Sequence, residues 1–121
     1  MKIALIDSMP LLNKGFTIYL QRQKKVSLVK SYSKFEKFIS FYSDVDKYFF
    51  DLFIVNLSAM NPSETERIIR LISTFFTRKD KLVLIVNKLS DLSVESIESE
   101  INIVEVTDSI DNIGEYIEVN Y

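Results

Sequence analysis

Apolar residues are arranged in two ways along this chain: short continuous runs, and stretches in which they recur every three or four positions. KIALID at 2–7, LFIVN at 52–56, KLVLIVN at 81–87 and INIVEV at 101–106 are the runs. Each has strand length, and the middle two are almost unbroken, as strands covered on both faces should be. VSLVKSY at 26–32 alternates apolar and polar residues instead, which predicts a half-exposed strand. After a turn containing Pro10, the positions Leu12, Phe16, Tyr19 and Leu20 predict a helix from Leu11 with one face on a core, Gly15 weakening it slightly. Phe35, Phe38, Ile39 and Tyr42 form a second helical stripe, whose aromatic character reads as core rather than as a ligand site. Following LSAMNP, Ser63 is expected to cap a third helix with Glu66 reaching back in a Ser-x-x-Glu box. That helix would bury Ile68, Ile69, Leu71, Ile72, Phe75 and Phe76. SVESIESE at 93–100 predicts a short polar helix and SIDNIGEYIEV at 109–119 a final amphipathic one.

Five strands alternating with five helices imply a parallel sheet wound on both faces, a doubly wound α/β domain. Ligands of such sheets sit beyond the carboxyl ends of the strands. Those ends are Asp7, Asn56, Val86 or Asn87, and Val106 or Thr107.

Composition narrows the chemistry. A chain of 121 residues, 47% hydrophobic, is expected to form one domain spanning 1–121. No stretch reaches the ~18–20 apolar residues of a membrane span, and MKIALIDSMP turns acidic too early for a signal peptide, so a cytoplasmic protein without membrane contact is expected. The absence of cysteine and histidine excludes disulfides, thiolate nucleophiles, zinc–thiolate sites and hydrolase triads that use those residues. Gly15 and Gly114 are the only glycines, too few for a glycine-rich dinucleotide loop or a Walker-type phosphate loop. The expectation is a protein that is not an enzyme and needs no cofactor or metal.

Net charge is −2, yet its distribution is uneven. Every lysine and arginine lies at or before Lys88; beyond it stand Asp91, Glu95, Glu98, Glu100, Glu105, Asp108, Asp111, Glu115 and Glu118. Such a run is either a solvated acidic face or a contact surface for a basic partner, for which Asp91, Glu95, Glu98, Asp108, Asp111, Glu115 and Glu118 are the candidates. Arg22, Lys24 and Lys25 cluster in QRQKKVS, which reads as a polar turn because nucleic-acid binding would require a broader basic stripe.

With this order of elements, ALIDSMPLLNKGF resembles the opening of LuxR-type response regulators, and DLFIVNLSAM resembles their third strand, with an Asp opening it and the phosphoacceptor position five residues later. The chain is similar over essentially its whole length to a response-regulator receiver domain, and the resemblance implies the flavodoxin/CheY-like (βα)5 fold with a central five-stranded parallel sheet. It also implies a pocket whose identities this chain does not keep. Asp7 matches the first acid of the magnesium-holding pair, while Ser8 stands for the second. Asn56 matches the phosphoacceptor, Val86 the hydroxyl residue that ends strand four, with Asn87 beside it. No lysine or arginine occurs between Ile101 and Tyr121 to supply the cation that closes strand five, and INIVEV lacks the aromatic switch residue. An amide is too poor a nucleophile to take a phosphoryl group, and a lone carboxylate does not readily hold a hard octahedral cation.

The resemblance therefore implies an atypical pseudo-receiver, independent of phosphorylation, serving as the regulatory or dimerisation domain of a transcription regulator. Asn56 either replaces the phosphoacceptor, caps the turn after its strand, or does both. DNA contact would come only through a helix-turn-helix domain, which these residues do not contain. The alternative expectation is a stand-alone adaptor or antagonist that binds another regulator through the acidic face. A homodimer centred on residues 90–118 would oppose acid to acid, so a dimer is expected to use another surface, such as the first and last helices.

Overall fold

The computed structural model describes residues 1–44, 49–75, 79–88 and 101–121. Five strands form one parallel sheet: β1 (Lys2–Ile6), β2 (Leu28–Tyr32), β3 (Leu52–Asn56), β4 (Leu82–Val86) and β5 (Asn102–Glu105), in the order β2-β1-β3-β4-β5. Four α-helices are described, α1 (Pro10–Gln21), α2 (Phe35–Asp44), α3 (Pro62–Phe75) and α4 (Ser109–Asn120). The polar helix expected at 93–100, the acids Asp91, Glu95 and Glu98, and Phe76 lie outside the described residues.

Strand alternation sorts the apolar runs onto two cores. Ala4, Ile6, Phe53, Val55, Leu84 and Val86 face one side, where Phe35 and Phe38 of α2 and Ile68, Ile69 and Ile72 of α3 cover them. Ile3, Leu5, Leu52, Ile54, Val83 and Ile85 face the other, under Phe16 and Leu20 of α1 and Ile113 and Ile117 of α4. This is why β3 and β4 read as unbroken apolar runs: each residue has a core to enter, whichever way it points. Phe38 stands at the centre of the first core, in edge contact with Tyr32 at 5.3 Å and Phe53 at 5.8 Å. β2, at the sheet edge, starts at Leu28 rather than Val26 and buries only Val29 and Tyr32, because a single neighbouring strand shields it.

One expected start signal is corrected. α3 begins at Pro62, and its cap is Asn61: Asn61 Oδ1 accepts the Glu64 N–H at 2.9 Å, while Asn61 Nδ2 donates to Glu64 Oε1 at 2.7 Å. Ser63 lies inside the first turn and donates its hydroxyl to Asn61 Oδ1 at 2.8 Å. The reciprocal box exists, but as Asn-x-x-Glu two residues earlier than Ser63 and Glu66, since Pro62 with its fixed φ takes the first helical position. Glu36 of α2 ties to α3 through Arg67 Nη2 at 2.6 Å, and that guanidinium holds the Glu36 carboxyl below its usual range.

Candidate functional site

β1 is the strand from which the chain departs to β2 on one side and β3 on the other, and a doubly wound sheet opens its crevice at such a reversal. Ile6 pairs with Val55 across β1 and β3, so the next residues, Asp7 and Asn56, end the two strands side by side. Both are 1% exposed. Asn56 Nδ2 donates to Asp7 Oδ2 at 3.0 Å, and Asn56 Oδ1 accepts the backbone N–H of Ser58 at 2.9 Å and its hydroxyl at 2.6 Å. The two neighbours dictate which way the amide faces: a carboxylate can only accept and a backbone N–H can only donate. Asn56 thus caps its turn and binds Asp7 at once.

Both Asp7 oxygens are engaged. Oδ1 accepts the Met9 N–H at 2.9 Å, which folds the chain from β1 toward α1. Asn13, on the first turns of α1, donates its amide to the Asp7 carbonyl at 2.9 Å and to the Tyr32 carbonyl at 3.3 Å, tying the ends of β1 and β2 together. From the β4 end, Asn87 Nδ2 donates to the Ser58 carbonyl at 2.7 Å, so it reaches the same loop without touching Asp7. Val86 is buried in the core under α2 and α3, and Ser8 is exposed. Glu105 ends β5 in register with Val86.

Of the five expected pocket residues, the structure therefore joins Asp7 and Asn56 directly, brings Asn87 to their turn, and leaves Val86 and Ser8 apart. Asn13 and Ser58 complete the network; the only trace of Asn13 in the sequence is a polar residue between Leu12 and Phe16 in an otherwise apolar stripe. Beside this network a cleft of about 480 Å³ opens between α1 and the ends of β1 and β2, lined by Asp7, Ser8, Asn13, Lys14, Thr17 and Ser31 among others.

This arrangement does not fit the divalent cation that such a strand-end site holds when it carries several carboxylates. Asp7 supplies a single carboxylate, and a buried amide donor and a backbone N–H already occupy its oxygens. An amide N–H pointing at the carboxylate would also face a cation with the wrong sign. Among the expected partner-surface acids, Asp108, Asp111, Glu115 and Glu118 are all exposed on or next to α4. No described helix is long and apolar enough to cross a membrane.

No protein-family model matches the chain, and no curated protein does. Solved structures do. The RcsB response regulator of Salmonella typhimurium, studied for conformational dynamism in DNA interaction, superposes with a TM-score of 0.66 at 14% identity over 98% of this chain; the chain spans 58% of that one. A two-component transcriptional regulator AraC from Clostridium phytofermentans ISDg superposes at 0.59, with 14% identity, 98% of this chain and 89% of that one covered. The signal receiver domain of a modulated diguanylate cyclase from Desulfovibrio desulfuricans G20 does so at 0.61, with 14% identity, 98% and 90% covered. The strand order, the helices on both faces and these superpositions agree: the chain has the flavodoxin-like α/β fold of response-regulator receiver domains.

Proposed function

We propose that residues 1–121 are a receiver-like regulatory domain that works without phosphoryl transfer, as the interaction or dimerisation module of a cytoplasmic transcription regulator. The observation that carries this reading is the buried hydrogen bond from Asn56 Nδ2 to Asp7 Oδ2. At the strand end where phosphotransfer requires a nucleophilic carboxylate and a cation, an amide takes the place of both. It is no nucleophile, and its N–H occupies an oxygen of Asp7. Glu105, at the end of β5, adds negative charge where a phosphate would need a cation. Phosphoryl transfer depends almost entirely on such positioned charge. The link to transcription rests on the likeness of fold to regulators such as RcsB, and DNA contact would pass through a domain other than this one.

A second reading, an adaptor that captures a basic surface of another regulator, is favoured by the exposed acids Asp108, Asp111, Glu115 and Glu118. The first experiment is a thermal melt with and without magnesium and beryllofluoride, the phosphoryl mimic. A ligand that binds the native state must raise the melting temperature. No shift at millimolar concentrations is the expected result, and a clear rise would overturn the loss of phosphate chemistry.

A further inference from the structure

The seam between α1 and the edge strand β2 changes character along its length. Under the second half of the helix it is apolar: Phe16 and Leu20 share a core with Val29 of β2 and Leu5 of β1. Side chains alternate along β2, so Ser31 points to the same face as Val29, in register with Leu5. There the core stops. Ser31 and Ser33 are exposed, and on the α1 side Asn13 and Thr17, one turn apart, are half-buried. Small polar side chains stand where larger apolar ones would close the seam, and the cleft of about 480 Å³ is the space they leave. Sites for small ligands span roughly 300–1,000 Å³.

Uncommitted donors converge on this cleft. Ser8, Lys14, Ser31 and Ser33 line it, and none of their side chains makes a hydrogen bond or ion pair with another described residue. The remaining polar lining is fixed: the Asn13 amide holds the Asp7 and Tyr32 carbonyls, and the Thr17 hydroxyl donates to the Asn13 carbonyl at 2.8 Å. Asp7 also lines the cleft, but each of its oxygens already accepts a hydrogen bond, from the Met9 N–H and from the Asn56 amide. Between Ser8 and Phe35 stand six lysines and arginines and no acid. Even with Lys25 drawn toward Glu118, the segment around the cleft is positive in a chain whose net charge is −2, which raises the local concentration of anions.

We propose that this cleft binds a small organic anion. Its carboxylate or phosphate head lies against Lys14 and the serine hydroxyls, and its body rests on Pro10 and Ile18, the apolar part of the lining. One ammonium and three hydroxyls suit a head that only accepts hydrogen bonds, whereas a neutral polyol would leave the Lys14 charge unused. Such a ligand would bridge α1 to the edge strand. The site lies on the β2 side of β1 and Asn56 on the β3 side, outside the lining, so the proposal does not rest on the loss of phosphotransfer.

Amide chemical shifts of the 15N-labelled chain test it, in titrations at constant ionic strength with glycerol 3-phosphate, glycerate and glycerol. The three probes share a body and differ in the head. Saturating shifts at Ser8, Lys14, Thr17, Ser31 and Ser33 are expected with at least one anion, with a Kd on the order of a millimolar, and none with glycerol; the tighter anion names the head. Lys14→Gln, at an exposed position, should weaken binding about tenfold. Ser31→Val, which removes a donor and fills the cleft floor, should abolish it, and circular-dichroism melts check that both variants fold. No saturating shift with either anion, equal shifts from glycerol, shifts spread over Arg22, Lys24 and Lys30 instead of the cleft, or unchanged affinity in folded Lys14→Gln would overturn the proposal. Repeating the beryllofluoride melt on Lys14→Gln keeps the two readings apart: a rise that persists in the variant arises at the strand end, and one that vanishes arises in the cleft.

Discussion

At the scale of single residues, the decisive fact is that position 56 must donate a hydrogen bond. Asp7 is buried with Met9 N–H on one oxygen, and only a donor at 56 can serve the other. Asn56→Asp would set two buried carboxylates about one hydrogen bond apart and is expected to cost on the order of 3 kcal/mol, lowering the melting temperature by roughly 10 °C at neutral pH. The sign with pH follows from the shared proton. Two such carboxylates favour a protonated form in the folded state more than in the unfolded one, so the deficit should grow as pH rises above the carboxylate range and shrink on acidification. Melts of the variant and wild type from pH 4 to 8 measure it; a constant difference would mean that the pair is not in contact. That Asn56 ends its strand was legible from the apolar run before it. That it touches Asp7, 49 positions away, was not, since no local pattern records which strands become neighbours.

At the scale of elements, periodicity located the helices well and their ends less well. The stripes of α1, α2 and α3 bury Phe16 and Leu20, Phe35 and Phe38, and Ile68, Ile69 and Ile72, while Leu12, Tyr19, Ile39 and Leu71, expected with them, are only half-buried. The start of α3 was misplaced because two overlapping capping signals were available, and Pro62 decided between them by occupying the first helical position. Asn61→Ala should therefore cost about 1 kcal/mol, while Ser63→Ala should stay within about 0.5 kcal/mol. Urea denaturation of the two variants separates the alternatives, and a larger loss at Ser63 would restore the Ser-x-x-Glu reading.

At the scale of the whole molecule, two cores share one sheet, and every inner strand contributes to both. Ile72→Val under α3 and Ile113→Val under α4 lie on opposite faces, each expected to cost about 1 kcal/mol. Because the sheet couples them, both should shift one cooperative transition, and the double variant should show their sum within about 0.5 kcal/mol. Tyrosine fluorescence and circular dichroism, followed together in urea, should coincide; separate transitions for the two probes would show that the faces unfold independently. The sequence by itself determined the number of described strands, their covered or half-exposed character, the exclusion of cysteine and histidine chemistry, and the one-sided charge of the C-terminal third. Those properties are local or compositional, and they survive without knowledge of contacts. Tertiary structure alone decided that Asp7 and Asn56 share a hydrogen bond, that Asn13 ties β1 to β2, and that α1 lies beside α4. Each depends on strand order and register, which bring together residues 19 to 91 positions apart through parallel pairing and a common core, the longest being Tyr19 on α1 and Ile110 on α4, whose carbonyl accepts the Tyr19 hydroxyl.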